Sequence, residues 1–593
     1  MVLGGGVAGV SCAQELFRLG DGKYDAPEIV IVSQGDTLKE SSAVTKLTKY
    51  LEEIHVFEQS ACKFAVDNPG IAVISSPVDK LDLVRKCLHL RDGGQVQYDK
   101  LCICSGAVPK PIADHPNVMT LRDLESIDGL LARLKMARNV AVVGNGGIAM
   151  ELIHALTCCQ LSWIVKDAFI GSAFLDATAS VFLMPSLHMR LDAARDRQGD
   201  GSMHVVPAPL VVPSSPCLSL ASSIQICNDG MRSREAPLTI HESSAAAAAA
   251  AAVPHGLGFA LGPEWISKSD FLKRLAAERR ADAVAGNLHI YMEQEVVAIS
   301  DSRAGAGADE HEGDPGPFPV YLKTSSGIII GCDFVISATG VYCDPLIEIA
   351  DSAGDDEVVV GLALDEQCAV YVDSRMATSC PNVYAAGDCC HYTPSRGGGL
   401  GDKDQQDGGG GDSENWHQMK LWSQARILGR FAAQCMCDKD EENGGNASLK
   451  LFAHLTHFFG YKVVLLGRYN AQGFPEPVVL EVKATNFASP QLQAVSDTHR
   501  VVVVDEDDGT SRACLMGSHN CTQASDLTVY YRMCPGDHYI KVVVHQHRVI
   551  GALLLGDTDL EEVFENLILN GTDVSGYGVD ILNPNVDLED YFD

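Results

Sequence analysis

The sequence predicts an α/β protein with two glycine-turn βαβ units and a small α+β segment at the C-terminal end. Three stretches carry that prediction. "MVLGGGVAGVSCAQELF" and "RNVAVVGNGGIAMELIHAL" each place a glycine-rich turn between a strand-like run and a helical one, and "YIKVVVHQHRVIGALLLGD" reads as two alternating strands around a turn.

In the first unit, residues 1–3 read as the end of a strand, "VAGVSCAQELFRLG" has helical periodicity closing on Gly20, and "EIVIVS" from Glu28 is a second buried strand. Gly4 makes the tight turn, Gly6 lets a diphosphate approach the backbone, and Gly9 lets the helix pack closely on the strand. The helix start then faces the diphosphate. The acid expected about 20 residues on, for ribose hydroxyls, is replaced by Ser33 or Gln34. The first strand is two or three residues shorter than such strands usually are, which suggests residues preceding Met1. The second unit repeats the fingerprint in Gly144, Gly146 and Ala149 behind a complete strand at 140–143. Two such turns with correct flanks point to two dinucleotide sites; the plainer alternative is one working site and one relic. Glu151, early in the second helix, is favoured by the helix dipole whether or not it meets a ligand. After the next strand, "SWIVKD" offers Lys166 for a 2′-phosphate or Asp167 for a free 2′-hydroxyl, which leaves NADH and NADPH both open.

Composition limits the partners. With 45 Lys+Arg against 78 Asp+Glu the formal charge is -33, so phosphate backbones and anionic lipid heads are repelled; neither direct nucleic-acid binding nor membrane binding is expected. The longest apolar runs carry glycines and polar residues unsuited to a membrane span, and the N-terminus lacks a secretory pattern. A cytoplasmic location follows, with the nucleus as a second compartment. Twenty cysteines over 593 residues, none in CxxC, fall below the density of a disulfide scaffold.

Three further segments, "QVQYDKLCICSGAVPKP", "GCDFVISATGV" and "MATSCPNVYAAGDCC", stand in an order that resembles the flavoprotein pyridine nucleotide-disulfide oxidoreductase family. The resemblance implies two Rossmann-like domains, FAD on the first fingerprint and NAD(P)H on the second, with "SGAVP" and "ATG" as the crossings between them. By that carry-over FAD is held by Gly4, Gly5, Gly6, Gly9, Ser33, Gly106, Gly387 and Asp388, and NAD(P)H by Gly144, Gly146, Ala149, Glu151, Lys166 and Gly340. Asp388 is expected at a helix start, binding the ribityl chain; a plain N-cap is its alternative. Residues 1–108 and 333–440 form the split FAD domain, 109–332 the NAD(P)H domain with a disordered insertion near 187–260, and 447–593 the α+β domain with an insertion near 485–526. Further glycine- and acid-rich interruptions start at Arg303, Arg396 and Asp438.

The chain departs from the family in its sulfur. "SQGDTLKESSAVTKLTKY", where family members carry the reactive cysteines, has none. The pairs Cys158/Cys159, Cys389/Cys390, Cys102/Cys104 and Cys435/Cys437 read as buried structural thiols. In "WHQMKLW", Trp416, His417 and Gln418 either border the flavin or belong to a helix packing Met419 and Trp422 on the core. No catalytic residue is assigned. Long strings such as "LFAHLTHFFGYKVVLLGRYNAQG" are similar to a eukaryotic member without a redox-active dithiol. That similarity implies hydride transfer from NAD(P)H to FAD, and protection of a client, the tRNA ligase complex, from oxidative inactivation. The electron acceptor stays open among oxygen, a quinone, a small disulfide, or a partner's metal or thiol. Two other readings stand beside it: a nucleotide-gated shielding protein that uses FAD and NAD(P)+ as structural elements, and, against the "YAAGDCC" motif, an FAD monooxygenase.

Overall fold

The computed structural model describes residues 1–20, 28–195, 271–272, 274–275, 288–302, 318–343, 348–350, 361–393, 415–439, 449–474, 502–504, 514–520 and 527–583. The alanine run, most of the insertion expected near 187–260, and the interruptions at 303–317 and 396–412 lie outside them.

Five parallel strands form the first sheet in the order Val383–Ala385, Leu101–Ile103, Val2–Leu3, Ile29–Ser33, Ile71–Ser75. Runs such as "IVIVS" are apolar on both faces because helices cover the sheet, as parallel pairing requires. Helix α1, Val7–Gly20, covers one face and buries Val10, Cys12, Ala13 and Leu16. The second sheet is also parallel, in the order Val118–Thr120, Phe334–Ser337, Asn139–Val143, Gln160–Ile164, Leu288–Tyr291. Helix α2, Gly147–Ala155, follows its central strand, and helix α3 spans Ala177–Arg195. Two findings revise the expected boundaries. Strand Phe334–Ser337 pairs inside the second sheet, so the first unit resumes after Ser337 rather than at 333. Helix α3 carries regular structure to Arg195, past the expected start of the insertion at 187. The two crossings meet as a short antiparallel pair, Val108–Pro109 with Val341–Tyr342.

Helix α4, Trp422–Met436, returns to the first unit and crosses α1 closely; a Cβ on Gly429 would lie 2.2 Å from the Ala8 carbonyl oxygen. The C-terminal domain is an antiparallel sheet of seven strands among the described residues, closed by helix α5, Glu561–Asn570. The strands His538–His545 and Arg548–Leu555 are the pair read from the sequence. Strands Val502–Val504 and Cys514–Asn520 extend this sheet from within the insertion expected at 485–526, because their backbone groups complete the ladder next to Leu527–Cys534.

Among the polar contacts that tie the domains together, two centre on buried charged groups. Lys541, fully buried in the C-terminal sheet, donates from Nζ to Asp176 Oδ2 at 2.5 Å and to Asn470 Oδ1 at 2.8 Å, while Asp176 Oδ1 accepts from Ala179 N at the start of α3. The cysteine-free stretch forms a hairpin, Thr37–Lys46 with Glu52–Ser60, whose tip reaches α5. There the buried Glu565 carboxylate accepts from Thr48 Oγ1, Lys49 N and Tyr50 N, and Leu51 enters the C-terminal core. No described helix is long and apolar enough to cross a membrane.

Candidate functional site: a cavity shared by the first glycine turn, the second unit and the C-terminal domain

The first glycine turn follows the two-residue strand Val2–Leu3. Gly4 has φ 123°, and a Cβ there would lie 2.1 Å from the Cys104 carbonyl oxygen; a Cβ on Gly9 would lie 2.0 Å from the Gly4 carbonyl oxygen. Only glycine allows strand and helix to approach so closely. Gly5 packs on Leu38 and Ser33, whereas a Cβ on Gly6 would meet nothing within 4 Å. The second turn repeats this geometry. Gly144 has φ 134° and sits against the Ala338 carbonyl, Gly146 caps α2 without any side-chain hydrogen bond, and Ala149 is fully buried where the first unit has Gly9.

A cavity of about 740 Å³ opens at the first turn. The first unit lines it with Gly4, Gly5, Gly6, Ser33, Gln34 and Gly106, and with Asp388. The second unit adds Gly147, Ile148, Glu151 and Phe174, so Glu151 shares a cavity with the residues assigned to FAD. The hairpin supplies Lys39 and Glu52, the start of α4 supplies Lys420 to Ser423, and the C-terminal domain supplies His454 and Thr456. Glu52 is held by Arg426 at 2.6 Å, and Lys39 lies over the Trp422 ring at 5.8 Å. Gly9, Gly387, Gly144, Gly146, Ala149, Lys166 and Gly340 are not on the cavity wall. Gly9 lies behind the turn, Gly387 packs on Ala8 of α1, and Gly340, at φ 95°, forms the second crossing, where its carbonyl accepts from Lys110 N at 2.9 Å.

Asp388 is not at a helix start. It occupies the turn between Val383–Ala385 and Cys390–Tyr392, and the next helix among the described residues begins at Trp422. The half-buried carboxyl makes no side-chain hydrogen bond among the described residues. Burial raises its pKa to about 6, with Lys420 pulling the other way. An acceptor group on a cavity wall without a protein donor fits a ligand that brings hydroxyls.

At the second turn, Asn145 does work that the glycine spacing did not reveal. Its amide donates to Asp167 Oδ2, the Phe169 carbonyl and Ser172 Oγ, and its oxygen accepts from Gly171 N at 2.6 Å, stitching the turn to the end of strand Gln160–Ile164. Lys166 pairs on the surface with Glu295 at 2.5 Å, and Asp167 also accepts from Ser172 Oγ at 2.6 Å.

The cysteine pairs follow their expected burial, except for the half-buried Cys437. Burial pushes the Cys389 thiol up to about 11 and the Cys390 thiol well above its ordinary range, which disfavours the thiolate that disulfide chemistry needs. Trp416, His417 and Gln418 do not line the cavity. His417 stacks on Phe452, with ring centroids 4.0 Å apart, and burial followed by Arg468 lowers its pKa to about 4. Gln418 bridges Tyr392 N and the Cys390 carbonyl. The histidine that does line the cavity, His454, carries no motif; its signal is only the alternation of "AHLTHF".

Two Rossmann-like units meeting at one cavity, with an α+β domain closing it, define the two-dinucleotide-domain oxidoreductase class. The chain belongs to the pyridine nucleotide-disulphide oxidoreductase family, whose model matches residues 1–183 and 269–426. It is 33% identical over 622 residues to the pyridine nucleotide-disulfide oxidoreductase domain-containing protein 1 of Dictyostelium discoideum, covering 100% of this chain and 99% of that protein. The Rattus norvegicus protein of the same name is 32% identical over 607 residues, covering 100% of this chain and 98% of that protein. Among solved structures, the putidaredoxin reductase–putidaredoxin covalent complex matches the fold with a TM-score of 0.52 at 14% identity, covering 100% of this chain and 97% of that one.

Proposed function

We propose that the chain is an FAD-dependent oxidoreductase that takes hydride from NAD(P)H and passes the electrons to an acceptor outside its own cysteines. The observation that carries this reading is the shared cavity, in which the open face of Gly6, the undonated Asp388 carboxyl and Glu151 of the second unit line one space. The backbone N–H groups at Gly5, Gly6 and the start of α1 would hold the diphosphate, Ser33 or Gln34 the ribose, and Asp388 the ribityl hydroxyls. The second turn would hold NAD(P)H, with Lys166 and Asp167 at its ribose and Glu151 where the two ligands meet. A bound flavin supplies the two-electron chemistry between nicotinamide and acceptor. Buried thiols with raised pKa values support an external acceptor. For the cellular role, the proposal is protection of a client such as the tRNA ligase complex from oxidative inactivation, in the cytoplasm and nucleus.

The test is the visible spectrum of the purified protein before and after anaerobic addition of NADH or NADPH. A flavin band that bleaches supports both sites and names the preferred nicotinamide. A colourless protein that added FAD leaves unchanged overturns the reading. Turnover with acceptors in the absence of the client separates an enzyme from a shielding protein.

A further inference from the structure

His454 comes from the edge strand Ala453–Phe458 of the C-terminal sheet and lines the cavity of the first unit. Two other parts of the chain meet it there. Its Nδ1 lies 3.3 Å from the hydroxyl oxygen of Ser423, in the first turn of α4. Its ring lies over Phe174 of the second unit, centroids 6.2 Å apart and 26° from parallel. Phe174 in turn closes on the start of α2, 3.3 Å from where a Cβ on Gly147 would be. The histidine therefore stands beside the helix that brings Glu151 to the same cavity. Its Nε2 has no protein partner among the described residues. Burial lowers the pKa to about 4, so the ring is neutral near neutral pH. If the Ser423 hydroxyl donates to Nδ1, the arrangement on which the inference rests, the neutral imidazole carries its proton on Nε2 and is a donor there.

Ser33 packs on Gly5 of the first turn, whereas Phe174 stacks on His454 and closes on Gly147 of α2, so the lining residues include one cluster at the first turn and another where the second unit meets the C-terminal strand. A dinucleotide with its adenosine ribose at Ser33 and its diphosphate at Gly5 and Gly6 leaves its ring system at the second cluster.

The geometry points to His454, oriented by Ser423, as a hydrogen-bond donor that the C-terminal domain contributes to the isoalloxazine end of the FAD site. This rests on the reading of the cavity as an FAD site. The C-terminal domain is then part of the cofactor site rather than a separate module. His417, also a neutral imidazole, has no such role because it does not line this cavity.

The test uses the full chain, loaded with FAD and stripped of it. His454→Phe keeps the stack on Phe174 and removes the donor, His454→Gln restores an amide donor, and Ser423→Ala removes only the orienting hydroxyl. Nitrogen-15 imidazole spectra are expected to show one Nε2–H signal that moves when FAD is added and is absent from His454→Phe. The bound-flavin absorption band is expected to shift in His454→Phe, and the FAD dissociation constant to rise about five- to tenfold, the scale of one lost hydrogen bond. His454→Gln should recover most of that loss, and Ser423→Ala should show a smaller shift in the same direction. If His454→Phe matches the wild type in band and affinity, and the imidazole signal ignores FAD, the inference is overturned while the cofactor reading stands. If the wild type takes up no FAD, both fall. Should His454→Phe fail to fold, the wild-type imidazole spectra and Ser423→Ala decide alone.

Discussion

Replacing Asp388 by Asn should separate folding from flavin binding. The carboxyl stands on the cavity wall without a donor among the described residues, and burial, partly offset by Lys420, raises its pKa to about 6. In the unfolded chain an aspartate ionises near 3.9. Between these values the FAD-free native protein keeps a proton that the unfolded chain has lost. Stability therefore falls as pH rises through that window and is level above it. The separation corresponds to about 3 kcal/mol, so without FAD the Asp388→Asn variant should exceed the wild type by about 2–3 kcal/mol near pH 7.5 and lose that advantage near pH 4. FAD reverses the order. A carboxylate that accepts ligand hydroxyls makes charge-assisted bonds of about 1.5–3 kcal/mol, so the variant should bind FAD about 10- to 100-fold more weakly. Urea unfolding of the FAD-free proteins at both pH values, and a fluorescence titration with FAD, measure the two effects. A variant less stable than wild type at the higher pH without FAD, or one that binds FAD equally well, refutes the reasoning.

Gly9→Ala places a methyl group 2.0 Å from the Gly4 carbonyl oxygen and must push α1 off its strand. The purified variant is expected to carry little flavin, although alanine is the better helix former by about 1 kcal/mol; full flavin content would show that the close approach is dispensable. Lys541→Met strands the Asp176 carboxylate at the domain junction and should cost about 3–5 kcal/mol in urea unfolding, with Asp176→Asn in the same chain restoring much of it. A loss below about 1 kcal/mol would mean that solvent reaches Asp176. Glu295→Gln releases the exposed Lys166 for a 2′-phosphate and should shift the ratio of kcat/KM values toward NADPH; an unchanged ratio would place the 2′-position elsewhere.

Much of the architecture could be read from local spacing, because a strand, a glycine turn and a helix are written within about 30 residues and their physics is local. Gly4, Gly6 and Gly9, their counterparts at Gly144 and Gly146, and the hairpin before α5 all follow from such runs, whereas the two crossings come from the family resemblance. Other features depend on partners outside the run itself. Strand Phe334–Ser337 has the same buried apolar pattern whichever sheet receives it, and only pairing with Asn139–Val143 assigns it to the second unit. Asp388 sits not at a helix start but in a turn, because the residues after it enter strand Cys390–Tyr392, which pairs with the earlier strand Val370–Val372. A histidine in an aromatic string, His417, drew attention but ended in packed core, while His454, in an ordinary alternating strand, reached the cavity. The sequence by itself determined two glycine turns shaped for diphosphates and a chain without the family's dithiol. Only the tertiary structure decided that Glu151 and His454 share a cavity with the first turn, because that depends on how three domains dock through buried groups such as Lys541 and Glu565.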